Sequence, residues 1–302
     1  MRRAGPEENR RGFTIIELLV VVGIIALLVG IIAPGLRAVT RQAKSLKEKA
    51  AIKGMEAGLE MFMKDFSDYP QSQRESNAGQ PPYVCGAQHL VEALVGRDGR
   101  GFEPSTDWYA PNQPQDLYKD DDKSLNRRKG LYVDARDSVA VLLYPDLYDT
   151  APADLFSSND RARAPVFTDI FKHRQVALAD GTKTKVGNPI VYFKANAASR
   201  YFGDKQAQPD TKKWIYSYED NRDIFALGSV KGPADYPHRF SPGYTDPSTN
   251  EKGEDIFYKS ITDPTVQTAQ FKKPYNSKTF ILMSAGWDGV FGTKDDITNF
   301  NY

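Results

Sequence analysis

The sequence predicts an α+β protein: a long N-terminal α-helix, its first half transmembrane, packed against a globular domain with an antiparallel β-sheet. Three observations carry that prediction. An apolar run of Leu, Ile, Val, Ala and Gly extends from Leu18 to Leu36, about one bilayer thickness. Apolar residues then recur at helical spacing as far as Phe66. Beyond Ser67, short β-branched and aromatic segments alternate with Gly, Pro, Asn and Asp.

Residues 1–12 read as a leader, charged and without an apolar stretch of its own, with Arg10 and Arg11 set against the hydrophobic segment. A secretory signal places its cut after the apolar region, at a small-residue site. The residues around Ile32, Ala33 and Pro34 fit that poorly, and the plain alternative is a signal anchor with its basic end inside. Glu17 does not fit a plain anchor. A carboxylate in an apolar membrane helix costs a few kcal/mol unless it is paired, which implies a partner, and nothing in residues 13–36 is expected to supply that partner. Cleavage between Gly12 and Phe13 frees an α-amino group four residues before Glu17. On a neighbouring copy displaced along the helix axis, that amine neutralises the carboxylate.

Residues 13–36 form the membrane segment and 37–66 an amphipathic continuation. Val39, Ala43, Leu46 and Ala50 recur at alternating three and four spacing, with Arg and Lys on the other faces. A second stripe of Ile52, Met55, Leu59, Phe62 and Phe66 follows on a shifted face, suited to the chain's own domain. A continuous helix from Phe13 to Phe66 would span roughly 80 Å. Pro34 removes one backbone donor and should kink or loosen it. Gly54 and Gly58 weaken it by about 1 kcal/mol each relative to Ala. Tyr69-Pro70 ends it.

Residues 67–302 form the globular α+β domain. Gly86 to Gly96 reads as a short helix, and Arg97 to Asn126, with its Asp120-Asp121-Asp122 run, as a long solvated loop. Residues 137–148 fit helix or strand. Ile190 to Phe193, Trp214 to Tyr218, Ile224 to Leu227 and Thr279 to Met283 read as strands of one antiparallel sheet. One aromatic face of that sheet is expected to pack on the Ile52 to Phe66 stripe.

The second chemical motif is residues 284–300. Three glycines permit a tightly folded loop, and the carboxylates of Asp288, Asp295 and Asp296 are placed to converge with backbone carbonyls on a hard cation, for which calcium is the best fit. The EF-hand spacing is absent. The competing reading is a β-turn with a solvated acidic end.

Gly12, Phe13 and Glu17 strongly resemble the prepilin signature of type IV pilins and of the pseudopilins of type II secretion systems. A helix ending in Tyr-Pro, followed by the short helix 86–96, resembles the major pseudopilins. The resemblance implies cleavage by a prepilin peptidase, N-methylation of Phe13 and packing of the helices in the core of a filament. It implies as partners copies of the chain, other pseudopilins and an inner-membrane secretion platform. The implied location is the bacterial inner membrane, single-pass, with the C-terminal domain periplasmic, and then the pseudopilus. The C-terminal loop is similar to the calcium loop of major pseudopilins, where an Asp-Gly turn is followed seven residues later by paired Asp. That likeness implies side-chain ligation by Asp288, Asp295 and Asp296, with the carbonyls of Ala285 and Thr293 joining them. The chain departs from that family in its larger globular region.

Composition narrows the alternatives. The net charge is +1, from 40 basic and 39 acidic side chains. Without residues 1–12, which hold four Arg and two Glu, it is −1. No basic stripe points to nucleic acid. Cys85 is the single cysteine, so no intrachain disulfide forms. That argues against a surface pilin for adhesion, motility or DNA uptake, in which a C-terminal disulfide loop is common. The scattered His89, His173 and His238 match no catalytic motif. An anchored periplasmic enzyme or binding protein would leave Glu17 without a purpose.

Overall fold

The computed structural model describes residues 13–77, 80–97, 99–105, 122–134, 140–142, 165–171, 174–177, 183–203, 205–227, 238–266 and 272–300. The chain divides into two compact units, residues 1–44 and 45–302. Helix α1 (Ile15–Phe66) belongs to both. Its helical assignment is uninterrupted through Pro34 and ends ahead of Tyr69-Pro70.

In the first unit every described side chain from Phe13 to Ile31 is exposed, a largely apolar surface. Val39 is likewise exposed.

The second unit is built around a three-stranded antiparallel sheet of β7 (Val191–Lys194), β8 (Phe280–Ser284) and β9 (Ile297–Thr298), ordered β7-β8-β9. Tyr192 pairs with Leu282 and Ser284 with Ile297. All five residues of β8 are buried. Such a continuous apolar strand is expected where both faces of a sheet are covered. On one face Tyr192, Phe280, Leu282 and Ile297 pack with Ile52, Met55, Leu59 and Phe62 of α1 and with Leu90, Val91 and Leu94 of α2 (Gly86–Val95). The second stripe of the helix therefore docks on an aromatic face of the sheet, as its spacing predicts. A Cβ at Gly58 would lie 2.7 Å from Val133 and 3.1 Å from the Tyr132 carbonyl, so this glycine lets the backbones approach.

The opposite face carries Val191, Phe193, Ile281 and Met283. Phe225, Phe240, Phe257, Trp214, Tyr216 and Phe291 cover it, with α4 (Arg222–Ala226) and α5 (Gly253–Ser260) supplying Phe225 and Phe257. These residues form a second layer that closes the back of the sheet.

Two predicted strands of that layer are not strands. Ile224 to Leu227 lies mostly in α4, which follows a 3-10 turn at Tyr218–Asn221. Glu219, Asp220 and Asp223 favour a helix start there. Consecutive Ile224 and Phe225 are both buried within the single turn of α4. Trp214 to Tyr218 is irregular and held by single backbone bonds, Asn196 N–H to the Ile215 carbonyl at 2.8 Å and Ile215 N–H to Tyr201 at 3.0 Å.

The remaining described strands form two-stranded pairs outside that sheet. β1 (Glu75–Asn77) pairs with β2 (Gln80–Val84), β3 (Ala140–Leu142) with β4 (Pro165–Phe167), and β5 (Arg174–Ala177) with β6 (Lys183–Val186), all antiparallel. Within residues 137–148 the described part is therefore strand. Of the expected loop from Arg97 to Asn126, 106–121 lie outside the described residues, and α3 (Asp122–Arg127) ends it.

Candidate functional site

Two places carry the chemistry, one in each unit. At the start of α1, Thr14 and Glu17 form a capping box. The Thr14 N–H donates to Glu17 Oε2 at 2.9 Å and the Thr14 hydroxyl to the same oxygen at 2.7 Å, while Glu17 N–H donates to Thr14 Oγ1 at 3.3 Å. The expectation that residues 13–36 hold no partner for Glu17 is corrected in part: they hold no cation, but they do hold hydrogen-bond donors. The signal was present in the sequence as Thr-x-x-Glu. Neutral donors at the first turn orient the carboxylate and do not cancel its charge, so an opposite charge is still required in an apolar setting. Gly12 lies outside the described residues. Phe13, directly before the box, is exposed.

In the second unit the C-terminal loop folds around its aspartates. Asp295 Oδ2 accepts the Asp288 N–H at 2.8 Å and its Oδ1 the Thr293 hydroxyl at 2.7 Å. Asp288 Oδ1 accepts Val290 N–H, and Asp296 Oδ2 accepts Gly292 N–H, both at 2.8 Å. Gly286 takes a left-handed φ of +66°, and a Cβ there would collide with the Asp295 carbonyl. Only glycine closes the loop at that point. Burial pushes Asp296 well above the carboxylate range, against the Gly292 N–H and with the help of Asp288. Burial also raises Asp288, and the adjacent Asp295 carboxyl adds to it. Ala285 is buried at the start of the loop.

This donor set can be tested against calcium. All its groups are oxygens, as a hard cation requires. Asp296 Oδ1 is buried with no hydrogen-bond partner, an orphan that an ion or water would satisfy. Among the described residues no three His, Cys, Asp or Glu side chains are gathered as a ready-made metal cage. A cation here would therefore draw on carbonyl and water oxygens as well.

Residues distant in sequence hold the loop in place, and sequence reasoning had no signal for them. Asn188 Nδ2 donates to the Gly289 carbonyl at 3.1 Å. His238 Nδ1 accepts the Phe291 N–H at 3.2 Å. Trp287 packs edge-on against Phe171, with ring centroids 5.9 Å apart. His238 is fully buried and its pKa is pushed down to about 3, so it stays neutral as a loop support. His89, hydrogen-bonded to the Gln73 carbonyl, is pushed down to about 4 by burial. His173 lies outside the described residues. Burial lifts the Cys85 thiol to about 12, which removes the thiolate that reactivity needs.

A long N-terminal apolar helix leading into an α+β domain with an antiparallel sheet is consistent with a pilin-like fold. Residues 9–33 match the family model of the prokaryotic N-terminal methylation motif. The chain is 28% identical to the type II secretion system core protein G of Klebsiella pneumoniae over 111 residues, 37% of this chain and 64% of that protein. It is 32% identical to the type II secretion system core protein G of Dickeya chrysanthemi over 68 residues, 22% of this chain and 44% of that protein. The chain thus spans less than two thirds of the length of these curated relatives. No solved structure matches it. Together the motif and the relatives support a type II pseudopilin or type IV pilin-like subunit. The one helix among the described residues that is long and apolar enough to cross a membrane, near the N-terminus, fits a single-pass protein of the inner membrane.

Proposed function

We infer that the chain is a structural subunit of a type II secretion pseudopilus. Prepilin peptidase cuts between Gly12 and Phe13, Phe13 is N-methylated, and the exposed apolar helix passes from the inner membrane into the core of a filament that drives protein export. The domain faces the periplasm, and other pseudopilins and the inner-membrane platform are the partners. The observation that carries this reading is the methylation-motif match over residues 9–33, where every described side chain from Phe13 to Ile31 is exposed. Such a surface is stable only in lipid or against other helices.

Calcium completes the C-terminal loop, with Asp288, Asp295 and Asp296 as side-chain ligands and the Ala285 and Thr293 carbonyls as further candidates. The orphaned Asp296 Oδ1 supports this. The subunit is not an enzyme. A cleft of about 650 Å³ beside Ser72, Lys194 and Trp214 holds Asp220, raised to about 7 by burial, but neither a histidine nor a cysteine lines it. Ser72 Oγ donates to Asp220 at 2.5 Å and accepts the Lys194 N–H at 2.9 Å, so its hydroxyl ties the sheet to the 3-10 turn.

Deletion of the gene tests the assignment. Loss of export of folded proteins, with surface adhesion and motility intact, is the expected result. The reverse pattern would make the chain a type IV pilin.

A further inference from the structure

A polar chain whose side chains, Glu48, Asp169 and Asn188, are wholly buried runs from α1 to the C-terminal loop. Glu48 of α1 is wholly buried, and its Oε2 accepts the Ile170 N–H at 3.1 Å. The neighbouring Asp169 is wholly buried as well, its Oδ1 accepting Phe171 N–H at 3.0 Å and its Oδ2 accepting Asn188 N–H at 2.9 Å. The Asp169 N–H returns a bond to the Asn188 carbonyl at 2.9 Å. Asn188 closes the chain with its Nδ2 on the carbonyl of Gly289, the residue after Asp288. A second link runs beside it, since Phe171, whose N–H sits on Asp169, carries the ring against Trp287 of the loop. Segment 169–171 therefore touches the helix by one backbone amide and the loop by two routes.

Polar groups buried to this degree are expensive to separate, because each broken bond leaves a desolvated donor or acceptor without water. A packed network of this kind has few intermediate arrangements, so its two ends hold or loosen together. Partners that orient a metal-binding element from outside the ligand set change metal affinity by about 10- to 100-fold when removed.

We propose that Glu48, Asp169 and Asn188 are positioning residues that make the C-terminal loop and the seat of α1 on the domain one cooperative unit. Order in the loop is felt at the helix through which the subunit would assemble, and a cation taken up by the loop tightens both. The cation arm of this proposal rests on the calcium reading of the loop; the mechanical arm does not.

The test uses the full chain in detergent micelles. Calcium chloride is titrated into wild type, Asn188→Leu, Glu48→Leu and Glu48→Gln, and amide hydrogen exchange is followed with and without chelator. Asn188→Leu keeps the backbone bonds to Asp169 but removes the donor to Gly289; Glu48→Leu removes the acceptor for Ile170 and Glu48→Gln retains it. Either leucine variant should weaken calcium binding about 10-fold and speed exchange of residues 45–52 and 286–292 together. Glu48→Gln should keep calcium binding as in wild type and should speed exchange in neither segment, a rescue that mere filling of the site does not predict. Faster exchange confined to the loop in Asn188→Leu, or an unaltered loop in Glu48→Leu, overturns the coupling. If one leucine variant fails to fold, the other decides by the same comparison. If wild type binds no calcium, the calcium reading falls and the exchange pattern alone decides the coupling.

Discussion

Replacing Glu48 with Gln should stabilise the domain at alkaline pH and leave its stability at acidic pH unchanged. Burial, reinforced by the Asp169 carboxylate and opposed by the Ile170 N–H and Ser284, raises the Glu48 carboxyl from 4.5 to about 7. The folded state therefore binds a proton that the unfolded chain has already released. Between pH 4.5 and 7 the folded form carries more protons, so this group's contribution to stability falls as pH rises through that window and is flat above it. A shift of about 2.5 units at 1.36 kcal/mol per unit makes the loss about 3 kcal/mol. Gln keeps the acceptor for Ile170 and carries no charge to repel Asp169. Urea unfolding of the Ser45–Tyr302 unit, followed by tryptophan fluorescence, should show the two proteins equal near pH 4 and Glu48→Gln more stable by about 3 kcal/mol near pH 8.5. Asp220, also raised to about 7, bends both curves alike and cancels in the difference. A difference that does not change between the two pH values would refute the argument that Glu48 is held protonated.

Three further outcomes follow from the same structure. Leu59→Ala, at a wholly buried position of the helix stripe, should cost about 2–5 kcal/mol in the same unfolding assay. Gly58→Ala should destabilise as well, although Ala is the better helix former by about 1 kcal/mol, because its Cβ would press on Val133 at 2.7 Å. Calcium affinity by titration calorimetry should fall as the pH is lowered, since Asp288 and Asp296, both raised, take up protons that the cation must displace. A pH-independent affinity would contradict these ligands.

The parts of the fold legible in the sequence were those with a local period. The run from Leu18, the stripe from Ile52 to Phe66 and the Tyr69-Pro70 stop need only spacing and backbone chemistry, and each lies where spacing places it. Strands β7 and β8 were legible because they are apolar on both faces and bounded by turn formers. The second layer was not. Ile224 and Phe225 look like a strand by composition, and only the neighbouring requirement decides otherwise: Asn221 must reach Ala87 N–H at 2.9 Å and the Tyr192 carbonyl at 2.7 Å, which fixes a turn there. The same divide runs through the sites. Thr14 is three residues from Glu17 and was readable as a capping box. Asn188 and His238 reach the loop across 101 and 53 residues, and no local pattern records such a contact.

For the central claim the decisive role belongs to the N-terminus. In cells with a working prepilin peptidase, Glu17→Ala should leave membrane insertion intact and impair filament assembly, because the carboxylate orients within its capping box but needs the amine of another copy for charge balance. The most direct measurement is mass spectrometry of the membrane-extracted protein from those cells. The account predicts a mature chain that begins at N-methylated Phe13; an intact Met1 terminus would contradict it.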